Sequence, residues 1–385
     1  MKKFRKIEIR KKDDLKSKKQ LFLFHQWINR ENNTYALLED MNNKIDLYSI
    51  SEYDMSFVIS KKKDFELVEL EDILMSNVEL IQNLSLGNCK KMFTGISEYD
   101  KLYDGLIPSE LTVIASRPSM GKTSLALTIA KNLALTDISV GYFSLQHNSV
   151  NITNRILTML TSLSTSKLRK GNLEPHEWEM LNIKMSILKK APLFIQDMSW
   201  LSLSDLIKGC RKMVFKRGVK CIIIDYLQLI EPNPSSHNLG NREQEISLII
   251  RSLKQVAKEL NISMVVLSQL SRAVETSEGS KRPMLHHLRD SGAIEDHADN
   301  VIFIYRPEYY GMTEWDDDDR SPCENQAELI VAKQNGSYLD NIRVRFLKFA
   351  GRFESDTEFK SSLFSSNPFD LDGFEDNMFG NDAGF

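Results

Sequence analysis

From about residue 93 onward, short uninterrupted apolar runs alternate with longer segments of helical spacing. Leu111 to Ala115, Ser139 to Leu145, Leu193 to Gln196, Cys221 to Asp225, Ser263 to Ser268, Val301 to Tyr305 and Glu328 to Ala332 are predicted as strands. Between two of them, Ile246, Ile249, Ile250, Leu253, Val256 and Leu260 fall at the spacing of one helix face. Strands that are apolar throughout, joined by helical crossovers, specify an α/β fold whose mostly parallel sheet is covered by helices on both faces. Ile342, Val344 and Phe346 alternate with polar residues, so this segment and Glu328 to Ala332 predict an antiparallel hairpin closing one edge.

The two ends read differently. Residues 1–92 are irregular: basic residues crowd Lys2 to Lys19, a helix is predicted at Leu21 to Ile28, and a mixed strand-like stretch runs through Ile45 to Ile59. A second helix is predicted over Val68 to Leu84, where Leu70, Ile73, Leu74, Leu80, Ile81 and Leu84 come close to helical spacing. This is a small accessory region whose basic arm either supplements nucleic-acid binding or is a solvated terminus. After Glu354, Ser, Asp, Asn and Gly dominate, and phenylalanines recur at 359, 364, 369, 374 and 379 before the terminal Phe385. A five-residue spacing fits neither a helix nor a strand face, so residues 355–385 are expected to form a disordered acidic tail. The run Glu314 to Asp319 is expected to be a solvated acidic surface insertion.

Composition narrows the classes. Fifty Lys and Arg against fifty-three Asp and Glu give a net charge of −3 over 385 residues, which excludes a uniformly basic nucleic-acid coat but not a local basic channel. A hydrophobic content of 42% can bury a sizeable core. No stretch approaches eighteen uninterrupted apolar residues, and the lysine-rich start has no apolar run behind it. A soluble, cytoplasmic protein without membrane partners is the expectation. Cys89, Cys210, Cys221 and Cys323 lie far apart, and free thiols are expected rather than a disulfide or zinc framework.

The chemistry concentrates at residues 116–123. Ser116-Arg117-Pro118-Ser119-Met120-Gly121-Lys122-Thr123 follows a predicted strand and precedes a helical run beginning at Ser124. Strand, Gly-Lys-Thr turn and helix are what a phosphate loop requires: backbone N–H groups surround a β-phosphate and the helix N-terminus adds positive potential. Lys122 is expected to reach the β- and γ-phosphates of ATP, and Thr123 to ligate Mg²⁺. Asp225 ends an apolar strand, where open parallel sheets place ligand groups, and is the second candidate Mg²⁺ ligand. An Asp at that place is otherwise a turn or helix cap.

Beyond these two sites, Gly105-Leu106-Ile107-Pro108-Ser109, Phe143-Ser144-Leu145, Ile224-Asp225-Tyr226-Leu227-Gln228-Leu229, Leu267-Ser268-Gln269-Leu270-Ser271-Arg272 and Leu288-Arg289-Asp290-Ser291-Gly292-Ala293-Ile294-Glu295 stand in order along the chain. Together with the loop at 117–123, these motifs resemble the DnaB-type bacterial replicative DNA helicases over residues 93–354. The resemblance implies a RecA-like P-loop nucleotidase motor that binds ATP between the subunits of a homo-oligomer, usually a hexameric ring, and moves 5′ to 3′ on single-stranded DNA. It also implies that Gln269 senses the γ-phosphate and that Arg289, Asp290, Ser291 and Gly292 meet the DNA backbone. A guanidinium beside a small glycine suits phosphate contact; without the motif, Arg289 would read as a surface partner of Asp290.

Three departures matter. The accessory region is too short and too differently patterned for the family's helical collar. Gln146 stands where the family has a glutamate that activates the attacking water; an amide orients water but takes no proton, and losing a general base costs roughly 10²–10⁴-fold. His147 is either a substitute or a structural histidine. Finally, the family's Lys-x-Arg-Asn-Gly hairpin here reads Lys333-Gln334-Asn335-Gly336, keeping the lysine without the arginine finger. Such a finger is worth roughly 10³–10⁵-fold, and Arg343 or Arg345 replaces it only if the loop geometry shifts. The sequence thus supports a helicase in DNA replication with attenuated hydrolysis, against a hydrolysis-deficient, ATP-gated DNA-binding or scaffold paralogue. A recombination mediator fits the motifs at 224–229 and 288–292 less well. The tail resembles in style the acidic, aromatic-tipped tails of single-strand-binding proteins. It has three readings: docking on another replication protein, competing with DNA, or plain disorder.

Overall fold

A computed structural model of the chain describes residues 5–11, 20–30, 33–39, 45–49, 53–57, 69–86, 90–198, 201–232, 242–276, 281–288, 292–316, 320–334 and 339–355. The chain divides into two compact units, Met1–Asn88 and Cys89–Phe385.

The first unit carries a five-stranded antiparallel sheet built from β1 (Arg5–Lys11), β2 (Gln20–Arg30), β3 (Asn33–Glu39), β4 (Ile45–Ser49) and β5 (Tyr53–Phe57), in the order β4-β3-β2-β1-β5. The segment Leu21 to Ile28, expected to be helical, is instead the middle of β2, paired with β1 on one side and β3 on the other. Its leucine, phenylalanine, tryptophan and isoleucine content suits a pleated surface with two neighbours, and pairing overrides a short apolar run's ambiguous period. The strand-like reading of Ile45 to Ile59 corresponds to β4 and β5, and the helix expected at Val68 to Leu84 is α1 (Leu70–Ser85). The basic stretch at 12–19 lies outside the described residues, as does the tail from residue 356.

The second unit follows the alternation closely. In chain order it runs α2 (Ser97–Tyr103), β6 (Leu111–Ser116), α3 (Lys122–Leu135), β7 (Val140–Ser144), α4 (Ser149–Thr161), α5 (Thr165–Lys170), α6 (Pro175–Leu188), β8 (Leu193–Asp197), β9 (Leu201–Ser202) and α7 (Leu203–Arg217). It continues through β10 (Cys221–Asp225), β11 (Ile230–Glu231), α8 (Arg242–Leu260), β12 (Ser263–Gln269), α9 (Ala273–Thr276), α10 (Gly292–His297), β13 (Asn300–Tyr305), β14 (Gln326–Lys333), β15 (Asn341–Leu347) and β16 (Arg352–Ser355). Nine strands form one sheet in the order β16-β15-β14-β13-β6-β12-β10-β7-β8. Pairing is parallel from β8 through β13, then antiparallel from β14 through β16. The expected hairpin is β14–β15, but β16 adds outside it and takes the edge.

Period-two alternation splits the sheet residues between two cores. Ile114, Cys221, Ile223 and Val265 pack with Leu125, Ile129, Ile152 and Ile156 of α3 and α4. Val113, Ile222, Ile224 and Val266 pack with Leu206, Ile246, Ile249, Ile250 and Leu253 of α7 and α8. Because both faces are covered, the strands need no polar side, which is why they read as unbroken apolar runs. Parallel pairing also brings the C-terminal ends of β6, β10 and β12 side by side, at Ser116, Asp225 and Gln269.

The insertion at 314–319 is not simply solvated. Trp315 is buried with Tyr305 and Cys323, and Asp316 pairs with Arg282 at 2.9 Å, so apolar packing and an ion pair tie its start to the sheet. Cys210, Cys221 and Cys323 are free and buried, as expected for those three.

Ile223 is fully buried at the centre of the sheet. Ile223→Ala should cost about 2–5 kcal/mol in chemical denaturation; a loss under about 1 kcal/mol would contradict the packing.

Candidate nucleotide site

β6 ends at Ser116 and the chain turns over residues 117–121 into α3. Gly121 makes that turn at φ +107°, a conformation L side chains rarely adopt, and an added Cβ would come within 3.1 Å of the Phe353 ring. Beyond the turn, Lys122 and Thr123 begin α3 and face β10. Thr123 Oγ1 donates to Asp225 Oδ2 at 2.8 Å, and the Tyr142 hydroxyl donates to the same oxygen at 3.0 Å. Burial and the neighbouring carboxylate push the Tyr142 hydroxyl well above its ordinary pKa, so it stays protonated and donates. Asp225 is itself buried.

Lys122 Nζ donates to the Ser116 carbonyl at 2.9 Å and lies 3.4 Å from that of Arg117. Burial pushes its pKa down to about 8, reinforced by Arg117 and opposed by Asp225. An ammonium this reluctantly charged gains much from an anion.

These groups line a cavity of about 450 Å³, large enough for a small ligand. Pro118, Ser119, Gly121, Lys122, Thr123 and Ser124 line it from the loop and the start of α3. Gln146, His147, Arg155, Asp225, Gln269, Arg306, Phe346 and Lys348 line it from other elements. The structure therefore brings Lys122, Thr123, Gln146, Asp225 and Gln269 together from separate places in the sequence. His147 lies with its Nε2 3.4 Å from Arg155 Nη2, and burial, then Arg155, pushes the imidazole pKa down against Asp225. It is consequently neutral near pH 7.

Other expected residues lie elsewhere. Ser116 and Met120 are buried beneath the turn. The Arg117 side chain points away from the cavity, its Nε donating to Glu275 at 2.8 Å and its Nη1 to the Leu270 carbonyl at 2.8 Å. Only its backbone remains available to a phosphate; a carboxylate behind the turn competes for the guanidinium. Lys333 sits at the end of β14 and donates to the Glu295 carbonyl. Arg343, considered as a replacement finger, lies over the Trp315 ring at 4.5 Å, and Arg345 is in register between Gln326 and Glu354. Gly292 begins α10 and is exposed, whereas Arg289, Asp290, Ser291 and Asn335 to Gly336 lie outside the described residues.

Three lining residues escaped sequence reasoning: Arg155, Arg306 and Lys348. Arg155 projects from α4 with no motif around it. Arg306 follows the apolar strand β13 as Asp225 ends β10, and the rule that exposed that aspartate points equally to Arg306. Its buried guanidinium lies 4.2 Å from the Phe346 ring centre.

Mg²⁺ fits this donor set: a threonine hydroxyl and a carboxylate, both hard oxygens, stand side by side where the phosphate-loop helix begins. Among the described residues no group of three or more His, Cys, Asp or Glu could hold another metal, and no helix is long and apolar enough to cross a membrane.

A phosphate loop between β6 and α3, an aspartate ending β10 and a glutamine ending β12, all lining one cavity, define a RecA-like P-loop nucleotide-binding protein. Residues 92–355 match the DnaB-like helicase C-terminal domain family. Replicative DNA helicase DnaB of Geobacillus stearothermophilus is 36% identical over 84% of this chain and 68% of its own length. Replicative DNA helicase DnaC of Bacillus subtilis (strain 168) is also 36% identical, over 80% of this chain and 66% of its own. Among solved structures, an ATPase domain superposes with a TM-score of 0.68 at 31% identity, covering 75% of this chain and 99% of that one. A DnaB-like replicative helicase described with its interactions with primase gives a TM-score of 0.64 at 30% identity, over 76% of this chain and 68% of that one. The chain belongs to the DnaB-like replicative helicase family.

The depressed Lys122 pKa yields a signed prediction. A bound triphosphate restores the charged form, so ATP binding at about pH 8 should take up protons, and affinity should fall as pH rises above about 8. Calorimetry in buffers of different ionisation enthalpy measures the uptake; none at all would contradict the assignment.

Proposed function

We propose that this protein is an ATP-dependent DNA helicase acting on single-stranded DNA in replication, moving 5′ to 3′ as a hexameric ring in the cytoplasm, with attenuated ATP hydrolysis. The observation that carries the reading is the convergence of Lys122, Thr123, Asp225 and Gln269 on one cavity that Gln146 also lines.

Lys122 and the backbone of the loop hold the β- and γ-phosphates. Thr123 and Asp225 hold Mg²⁺, which when bound neutralises charge developing on the phosphates. Gln269 contacts the γ-phosphate and reports its loss through β12. Gln146 orients the attacking water without accepting its proton, as glutamines do in some GTPases, so the chemical step is slow rather than absent. Arg155, which lines the same cavity, adds positive charge from within the subunit. Lys333 reaches the neighbouring subunit's nucleotide from the β14–β15 hairpin, where Gln334 and Asn335 offer no finger. Arg289 to Gly292 contact the DNA backbone from the central channel, and the tail docks on a partner replication protein.

The second reading, a non-hydrolysing, ATP-gated DNA-binding subunit, rests on the same Gln146. Steady-state ATPase with and without single-stranded DNA, joined to strand displacement on a 5′-tailed fork, separates the two. Slow but DNA-dependent turnover with displacement supports the helicase; binding without turnover supports the scaffold; unattenuated turnover refutes the assigned role of Gln146. Gln146→Glu should raise turnover by about tenfold or more, toward the roughly 10²–10⁴-fold that a general base supplies; an unchanged rate would contradict that role.

A further inference from the structure

Arg117 stands in the phosphate loop, yet its side chain is turned away from the nucleotide and the residue is only 6% exposed. It makes two charge-assisted hydrogen bonds, to Glu275 Oε1 on α9 and to the Leu270 carbonyl just beyond Gln269, both at 2.8 Å. Leu270 N also donates to the Ser116 carbonyl at 3.1 Å. The same turn is stitched onward: Leu270 forms an antiparallel bridge with Leu288, and Ser271 N donates to the His287 carbonyl at 2.9 Å. An unbroken series of hydrogen bonds therefore runs from the phosphate loop, through one guanidinium, to the start of the 288–292 loop.

Desolvating an arginine is costly unless its partners are good. Here the partners are not phosphate but the segment that follows the γ-phosphate sensor. Lys122 links a nucleotide to this network: its ammonium donates to the Ser116 carbonyl and approaches that of Arg117, and a bound triphosphate would compete for the same ammonium. Moving that donor would remove one bond from the carbonyls on either side of the Arg117 Cα, leaving Ser116 held by Leu270 N, and the guanidinium would carry the shift to Leu270 and Glu275.

We propose that the Arg117–Glu275 ion pair couples nucleotide occupancy to the 288–292 loop, with Glu275 as a positioning residue that touches neither ATP nor DNA. The coupling rests on the assignment of that loop to DNA. Coupling between two ligands is reciprocal, so DNA must act back on the phosphate loop through the same pair.

The test compares the full chain with Glu275→Gln and Glu275→Asp, using a poly-dT oligonucleotide. Glu275→Gln keeps the size and loses the charge. It should leave ATP affinity and DNA-free turnover near those of the unaltered chain while reducing DNA stimulation about fivefold or more. The tightening of ATP-analogue binding by DNA should fall as well, matched by an equal fall in the tightening of DNA binding by the analogue, and Glu275→Asp, which keeps the carboxylate, should recover part of each. Equal stimulation in Glu275→Gln and the unaltered chain would overturn the coupling alone. Turnover lowered equally with and without DNA would also overturn it, since the pair would then merely hold the loop in shape. An unaltered chain that ignores DNA would overturn this inference and the DNA assignment together.

Discussion

The hydrogen bond from Thr123 to Asp225 is the constraint on which the site depends. It joins the first turn of the helix after β6 to the end of β10, with β12 lying between these two strands in the sheet. Only parallel strands in that order bring Ser116, Gln269 and Asp225 to one edge, and only strands buried on both faces hold that edge rigid. Tyr142 adds a second donor to the same carboxylate oxygen from the next strand along. Nucleotide geometry is thus a property of the sheet rather than of its loops.

Binding and hydrolysis draw on different parts of this arrangement. Lys122, Thr123 and Asp225 are held by strands and a helix packed into the two cores. In the proposed function, hydrolysis instead draws on Gln146, which lines the same cavity, and on Lys333 at the end of β14. A chain can therefore retain the triphosphate while its turnover drops, and losses in groups acting together seldom add fully. His147, whose imidazole burial keeps from charging readily, and Arg155 line the same cavity beside Gln146.

Much of the second unit was legible in the sequence because apolar runs and crossovers are unambiguous where the inner strands are buried on both faces. The phosphate loop and Asp225 were legible for the same reason, since each sits where such a strand stops. The middle of β2 was not: Leu21 to Ile28 has neither clean alternation nor helical spacing, and its pairing with β1 and β3 decides the outcome. The direction of the Arg117 side chain was hidden because its partners come from some 150 residues later in the chain. Trp315 was hidden by the acidic residues after it, which drew attention from the indole to the charge. Arg155 and Arg306 act through tertiary placement, although Arg306 obeys the strand-end rule.

The central claim is that residues 93–354 form a nucleotide motor whose triphosphate rests on Lys122 beside Asp225. Equilibrium binding of ATP with Mg²⁺ to the full chain and to Lys122→Ala tests it most directly. Saturable binding by the unaltered protein, weakened about a hundredfold or more in the variant as expected when a charge-assisted contact of about 3 kcal/mol is lost, is the predicted result. No binding by the unaltered protein, or equal binding by both, would contradict the account.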